Sequence, residues 1–469
     1  MMRVSIVFDE EDYITPADGG LDDLLKMLAD VMTEEKVSGT FFVIGERARC
    51  LRDRKRKDVL DALGRHDLGS HINLGSIHPA LMERAEHSAW SEGCARMAAE
   101  ESAGIDEIGA IFNKPVRSLG RHGGSFCPQL LAVLGARNMP YVYSPARLPN
   151  HNITWYCNTL NFFEDITVFQ QAYLSRETFF ETEKRFLDII DARKGYDWYG
   201  VFNSHPCMIK TTEFWDLNYY HGLNPPLDEC RRPGFRPNYS LQEARSNWAL
   251  HCARLRDNPK MQMGTINDFA VDFGRQKEKA MLPEIMLLAQ KAADATAPFW
   301  SDDFSAAEIL DLLARCYVSS SRGKSPASLP RRNVFGPERI PLSTPTARSL
   351  QPEALLRAAC GIVAAIDYNG MLPSRVFCGA GPAGSSAEIG MGTALVALGM
   401  TLTSGITRPV ELRPVEPYLP EGDAIAAIVV NEFKKWPCHR QDLDVSSIAR
   451  LAALQSWTLK PAWPASRFS

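Results

Sequence analysis

The sequence predicts an α/β chain with a mostly parallel sheet in its first part and helices in its second. Three observations lead there. Short β-rich apolar runs alternate with stretches of helical spacing from Val4 to Leu255, the pattern of strand–helix–strand crossovers in a barrel or an open layer. A cluster of carboxylates follows the first of those runs directly, the position at which α/β folds present catalytic acids. Beyond about Gln276 the alternation stops, and helical stretches separated by Pro/Gly-rich loops take over.

Taken in order, Val4 to Phe8 reads as a buried strand that ends in Asp9-Glu10-Glu11-Asp12, with no Lys or Arg beside the acids. Leu21 to Glu34 has helical spacing through Leu21, Leu24, Leu25, Leu28 and Val31, and Val37 to Gly45 is a second strand. A short helix over Asp58 to Leu63 leads into Gly64 to Pro79, a Gly/Ser-bearing stretch that carries His71 and His78. One helix is expected across Met82 to Ile105. A strand follows over Pro115 to Leu119, closing on Gly120-Arg121-His122-Gly123-Gly124-Ser125-Phe126. Helix over Pro128 to Leu134 and strand over Tyr141 to Tyr143 complete this run. Ile153 to Asn161 reads as one strand, Glu177 to Ile190 as a helix, and Trp198 to Asn203 as a strand reaching Ser204-His205-Pro206. Leu241 to Leu255 is helical and Met263 to Ile266 is a last strand. Phe214 to Pro237, rich in aromatics, Pro and Asn, reads as a long surface loop near a site mouth.

At 469 residues the chain exceeds one ordinary core, and the change of character places a boundary near 280, giving segments 1–280 and 281–469. A net charge of -4 offers no basic face, so nucleic acid is not an expected partner. No run of about twenty apolar residues is present, so no membrane span is expected. Met1-Met2-Arg3 leads straight into the first strand without a secretory leader, which points to the cytoplasm, or to the outside if a leader has been removed. The eleven cysteines are scattered and never form a C-x-x-C pair, which argues against both a disulfide framework and a cysteine metal site.

Two imidazoles on one short loop make half of a divalent-metal site, and the acids after the first strand offer the missing carboxylate. Five motifs then occur in order: Phe8-Asp9-Glu10-Glu11-Asp12, Gly39-Thr-Phe-Phe-Val-Ile-Gly45, His66-Asp-Leu-Gly-Ser-His71 with His78-Pro79, Arg121-His-Gly-Gly-Ser125 and Ser204-His205-Pro206. Together they resemble the polysaccharide deacetylases (NodB-type, carbohydrate esterase family 4) over residues 1–280. The resemblance implies a distorted (β/α) barrel of NodB type. It implies one divalent ion, zinc first, with cobalt, nickel or manganese as alternatives, and hydrolysis of the N-acetyl or O-acetyl group of a carbohydrate. Asp9 is then similar to the base that deprotonates the attacking water. Glu11 is similar to the acidic ligand, with Glu10 as second choice, and His71 and His78 are similar to the imidazole ligands. Arg121 is similar to the residue that orients Asp9, and His205 to the acid that protonates the leaving amine. This chain departs from the family in three ways: His71 and His78 stand seven positions apart, wider than the family's spacing; His122 takes a position on the groove floor where many members have Pro or Ala; and no Asp-x-x-Asp-Trp-like motif follows residue 150.

In the second part, Ser328 to Pro337 echoes Met371 to Gly379, each after a helical stretch, and Ile389 to Leu398 follows as a helix. These resemble the pseudomurein-binding repeat of cell-surface proteins, which implies a grip on a cell-wall polymer. The alternative is a smaller, mainly helical domain that packs on the barrel or joins copies into a homo-oligomer. For the whole chain the expectation is a metal-dependent deacetylase of an N-acetylated carbohydrate. Its alternatives are a non-catalytic carbohydrate-binding protein on the same scaffold and an amidohydrolase of a non-sugar amide.

Overall fold

The computed structural model describes residues 2–163, 166–168, 175–192, 198–237, 239–380 and 386–468. Its organising strand is β1 (Met2–Glu10), which is buried at every position except Arg3. Nine further strands follow: β2 (Thr40–Val43), β3 (Asp67–Ser70), β4 (Leu119–Gly120), β5 (Tyr141–Val142), β6 (Ile153–Tyr156), β7 (Thr159–Phe162), β8 (Ile166–Val168), β9 (Tyr199–Ser204) and β10 (Met261–Met263). Without β6 they form a curled half-barrel sheet in the order β7-β5-β4-β3-β2-β1-β9-β8, with β10 beside the start of β1. Every pairing is parallel, for example Val7 with Thr40, Phe8 with Ser204 and Val43 with Ser70. Parallel strands end on one common edge, so whatever follows β1, β3, β4, β5 and β9 is delivered to the same place.

Helices occupy the crossovers. They are α1 (Leu21–Glu34), α2 (Gly45–Asp53), α3 (Lys57–Leu63), α4 (Leu81–Ala85), α5 (Trp90–Phe112), α6 (Pro128–Ala136), α7 (Arg176–Ala192), α8 (Pro206–Lys210), α9 (Leu241–Arg256) and α10 (Ile266–Phe273). The spacing of Leu24, Leu25, Leu28, Val31 and Met32 buries one face of α1 completely, and α1 packs against α3 and α9. Burying a side chain of that size stabilises the fold by about 1.5–3 kcal/mol.

The structure differs from the sequence expectations in several places: Asp67–Ser70, expected within a connection, is strand β3, and Gly45–Asp53 forms α2 where no helix was expected. The single helix over 82–105 is two, α4 and α5, separated around His87, which takes a left-handed backbone (φ 56°) that a continuing helix excludes. The single strand over 153–161 breaks at Cys157 and Asn158, both with positive φ (51° and 55°), as a tight turn requires. The last strand sits earlier, at β10, because Thr265 and Asp268 form a reciprocal cap that starts α10. The stretch 214–237 is a surface loop only in its later part, where most residues from His221 onward are exposed. It contains 3-10 turns at Trp215–Gly222 and Leu227–Glu229, and the Trp215 and Tyr219 rings are buried.

The chain divides into two compact units. The first comprises Met1–Ile153, Thr159–Gly274 and Val430–Val445; the second comprises Thr154–Asn158, Arg275–Val429 and Ser446–Ser469. A single cut near 280 does not describe this division, because Val430–Val445 folds with the first unit. The second unit has helices α11 (Leu282–Asp294), α12 (Ala306–Ser321), α13 (Pro352–Asn369), α14 (Met391–Ser404), α15 (Glu421–Ile428) and α16 (Ser446–Leu454). It also has short antiparallel pairs: β11 (Lys279–Met281) with β12 (Ser328–Pro330), β13 (Ser349–Leu350) with β16 (Val410–Glu411), and β14 (Arg375–Ala380) with β15 (Ser386–Gly390). A last strand, β17 (Lys460–Pro461), pairs with β6. All eleven cysteines are free thiols. Among the described residues no helix is long and apolar enough to cross a membrane.

Candidate active site

Side chains alternate along a strand, so Asp9 and Glu11 leave the end of β1 on one face and Glu10 on the other. Glu10 receives the buried Arg47 guanidinium, which also pairs with Asp22 at 2.8 Å. Burial pushes the Glu10 carboxyl up to about 7, and Arg47 offsets part of that rise. Glu10 is therefore held in a structural ion cluster away from the histidines. Asp12 is also structural: its carboxylate accepts from the backbone N–H groups of Ile14 and Thr15 and from the Thr15 hydroxyl.

Glu11 faces the common edge. Its Oε1 lies 3.1 Å from His71 Nε2, 3.3 Å from His122 Nδ1 and 3.7 Å from His205 Nε2. Its Oε2 accepts from Trp215 Nε1 at 3.1 Å. Burial alone would raise the Glu11 carboxyl, but His122 and His205 outweigh it and hold it well below the usual carboxylate range.

His71 is the first residue after β3. Its backbone N–H donates to Val43 O, and its Nδ1 donates to Gly120 O at 3.1 Å, because a carbonyl can only accept. That leaves Nε2 as the nitrogen aimed at Glu11. The Phe42 ring lies beside the imidazole, with centroids 6.2 Å apart. Gly69 makes room for that ring, since a Cβ there would come within 2.1 Å of it.

His122, two residues past β4, meets His71 edge-to-face at 4.9 Å. Its Nε2 is 3.0 Å from Ser76 Oγ, and its buried Nδ1 has no aligned hydrogen bond. His205 follows β9, with Nε2 3.6 Å from Asp9 Oδ2. At 21% side-chain exposure, against 5% or less for Asp9, Glu11, His71 and His122, it marks the side on which the cluster meets solvent. Asp9 accepts from Tyr143 Oη at 3.2 Å and from Asn203 Nδ2 at 2.7 Å. Burial lifts its carboxyl to about 6; His71 opposes the rise and Glu11 adds to it.

Glu11, His71 and His122 form one set of donor atoms lying within 4.8 Å of each other, and Asp9, Glu11 and His205 form a second. The donor set of the first fits a divalent cation: two imidazoles and a carboxylate. The geometry fits as well. A neutral His71 would point an Nε2 lone pair at a carboxylate oxygen 3.1 Å away, and the unbonded His122 Nδ1 faces the same oxygen. Such facing lone pairs repel unless a proton or a cation lies between them.

The structure thus brings together four of the residues singled out from sequence, namely Asp9, Glu11, His71 and His205. It does not bring His78 to them. The wide spacing carries His78 to the far end of the loop, where Nδ1 is 2.8 Å from Glu83 Oε2 and Nε2 donates to Tyr219 O at 3.0 Å. His122 occupies the place expected for His78. Arg121 does not hold Asp9 either: its Nε donates to Tyr143 O at 2.9 Å, and its guanidinium lies 4.1 Å over the Phe433 ring. Tyr143 and Asn203 orient Asp9 instead. Both sit at strand ends, and that is their one local signal. Trp215 gave none, lying in a stretch read as loop.

No family model matches the sequence, and no curated protein matches it. Solved structures do. A family 4 carbohydrate esterase from Streptomyces lividans, in complex with acetate, is similar at 14% identity, over 56% of this chain and 93% of that chain, with a TM-score of 0.30. A CE4 family pseudoenzyme from Bacillus anthracis is similar at 11% identity over 57% of this chain, which spans 65% of that protein, with a TM-score of 0.30. A 4-alpha-glucanotransferase from Thermococcus litoralis is similar at 10% identity, over 58% of this chain and 41% of that one, with a TM-score of 0.38. Overlaps this small assign no activity.

Proposed function

We propose that the first unit is a divalent-metal-dependent hydrolase that removes acetyl groups from an N- or O-acetylated carbohydrate. The observation that carries this reading is the convergence of Asp9, Glu11, His71, His122 and His205 on one sheet edge, in two donor sets that share Glu11. Glu11, His71 and His122 would hold the cation. When bound, a divalent ion supplies Lewis acidity to a carbonyl and a water molecule.

The chain's own groups do the rest. Asp9, raised to about 6 and kept in place by Asn203 and Tyr143, is mostly ionised at neutral pH and takes the proton from the attacking water. The water oxygen bonds to the acyl carbon and the carbon–nitrogen bond breaks. The amine nitrogen, a poor leaving group as its anion, takes a proton from His205, which sits at the solvent side of the cluster. The carbohydrate part of the proposal is supported by the five motifs in residues 1–280. For the second unit, the repeat-like stretches at 328–337 and 371–379 support an accessory role in gripping a wall polymer.

The test is metal analysis of the purified chain together with acetate release from N-acetylglucosamine oligomers. One ion per chain and acetate release that both disappear in Glu11→Gln are expected. A chain that takes up no divalent ion overturns the metal reading. A chain that binds ion and sugar yet releases no acetate leaves only a binding scaffold.

A further inference from the structure

His122 earns attention at its other ring nitrogen, the one that does not face Glu11. Nε2 is 3.0 Å from Ser76 Oγ; Ser76 Oγ is 3.8 Å from Cys438 Sγ; and Cys438 Sγ lies 3.2 Å from Asp216 Oδ2. Ser76 and Cys438 are fully buried and Asp216 nearly so. The three come from distant parts of the chain that all belong to the first unit: the loop after β3, the Trp215–Gly222 turn and the Val430–Val445 segment. That segment is tied down by a backbone bond from His221 N–H to Pro437 O at 2.8 Å and by the Arg440 backbone N–H, which donates to the Glu83 side chain at Oε1, 2.9 Å away. Gly124 makes room for it, since a Cβ there would lie 2.3 Å from Phe433 O. The Trp436 ring then abuts His122 edge-to-face at 5.2 Å.

A serine hydroxyl has one proton, and its direction decides what His122 can be. If Ser76 donates to Nε2, the ring proton sits on Nδ1 and points at Glu11, so His122 is a donor and not a ligand. If Ser76 instead donates to the Cys438 sulfur, Nε2–H donates to Ser76 and Nδ1 keeps its lone pair. Once Asp216 is ionised, which burial delays to about pH 7, the thiol proton has its carboxylate as nearest and strongest acceptor at 3.2 Å, which leaves the sulfur lone pairs for Ser76. We infer that Asp216, Cys438 and Ser76 form a positioning relay that sets the His122 tautomer with Nδ1 unprotonated and so makes it a metal ligand. The Val430–Val445 segment is thereby part of the metal centre. This rests on the reading of His122 as a ligand given under Proposed function. Partners that fix a ligating imidazole in this way typically change metal affinity by about 10- to 100-fold.

The test uses the full chain and cobalt(II) as probe, with affinity read by chelator competition and geometry by the cobalt d–d spectrum. Nitrogen NMR shifts of the metal-free chain report the His122 tautomer. Ser76→Ala and Cys438→Ala are each expected to weaken cobalt binding by about 10- to 100-fold and to populate the Nδ1–H tautomer. Cys438→Ser, which keeps both a donor and an acceptor, stays close to wild type. If Cys438→Ala does not fold, Ser76→Ala carries the same test. Wild-type affinity and an unchanged tautomer in Ser76→Ala overturn the relay. His122→Ala separates the two ideas: if it leaves cobalt affinity unchanged, His122 is no ligand and the parent reading fails; if it weakens binding while the relay variants do not, only the relay falls.

Discussion

His78 ends the loop that begins at Gly64, and His122 follows β4; both imidazoles are shielded and both stand beside a glutamate. Their surroundings divide them. Nε2 of His78 donates to a carbonyl and Nδ1 meets the Glu83 carboxylate, so both nitrogens are used by the fold. Burial by itself would lower His78, but the bonds to Glu83 and to Tyr219 O outweigh it and favour the cation. An imidazolium has no lone pair for a metal. His122 commits Nε2 to Ser76 and leaves Nδ1 unbonded toward Glu11. A histidine's value as a ligand is thus what remains after the fold's own hydrogen bonds, and sequence spacing alone does not report that remainder.

The contrast breaks most directly by removing each ring. His122→Ala, His71→Ala and Glu11→Gln are expected to lower divalent-ion affinity by more than the roughly 10- to 100-fold that a supporting group controls. His78→Ala should leave that affinity unchanged and cost about 1–3 kcal/mol of stability, because it strips Glu83 of a buried partner. Chelator competition and denaturant unfolding read the two effects; a swap of the two outcomes would reverse the comparison. Next in size, Asp9→Asn should keep the ion while acetate release falls by about 10²–10⁴-fold, which separates the base from the ligands. Tyr143→Phe, which removes one hydrogen bond to Asp9, should cost about 1 kcal/mol in the barrier, or a rate lower by about fivefold, with ion affinity unmoved.

The smallest effect lies in the pH dependence of the His78–Glu83 pair. The Glu83 carboxyl is held down to about 2, with burial opposing and His78 chief among the groups that lower it. Its contribution to stability is present above its ordinary value of 4.5 and fades as pH falls from there toward about 2. His78 is raised above its ordinary 6.5, so its contribution is complete below 6.5 and is lost as pH climbs through the higher folded value. The pair therefore stabilises most between pH 4.5 and 6.5. Glu83→Gln should flatten both flanks in urea midpoints measured against pH; unchanged flanks would show that the pair is not what titrates.

The sequence revealed a good deal of this centre, and physics explains where it stopped. Strand ends are local signals: an apolar run followed by Asp9 and Glu11, or by His205, announces its position without reference to anything distant, whereas Asp67-Leu-Gly-Ser before His71 carries no such run and only the structure shows it to be β3. Glu10 stayed a second choice to Glu11 in the sequence, and it is the structure that separates them, by alternation at the end of β1. His122 was visible only as a departure on the groove floor, because its role depends on Ser76 and Cys438, which no local pattern links to it. Trp215 was hidden for a related reason. Its stretch has the Pro, Asn and aromatic content of a loop, and only a tertiary contact with Glu11 tells an anchored ring from an exposed one.

The return of Val430–Val445 to the first unit, after Arg275–Val429 has formed part of the second, also bears on how the protein is made. During synthesis, the ribosome has released Glu11, His71 and His122 long before Cys438 emerges. The imidazole at the heart of the cluster waits for its backing until the Val430–Val445 segment has been made. Neither unit is one unbroken stretch, so gene fusions or rearrangements that move residues 1–274 alone would carry off Glu11, His71 and His122 and leave behind the segment whose Trp436 ring abuts His122.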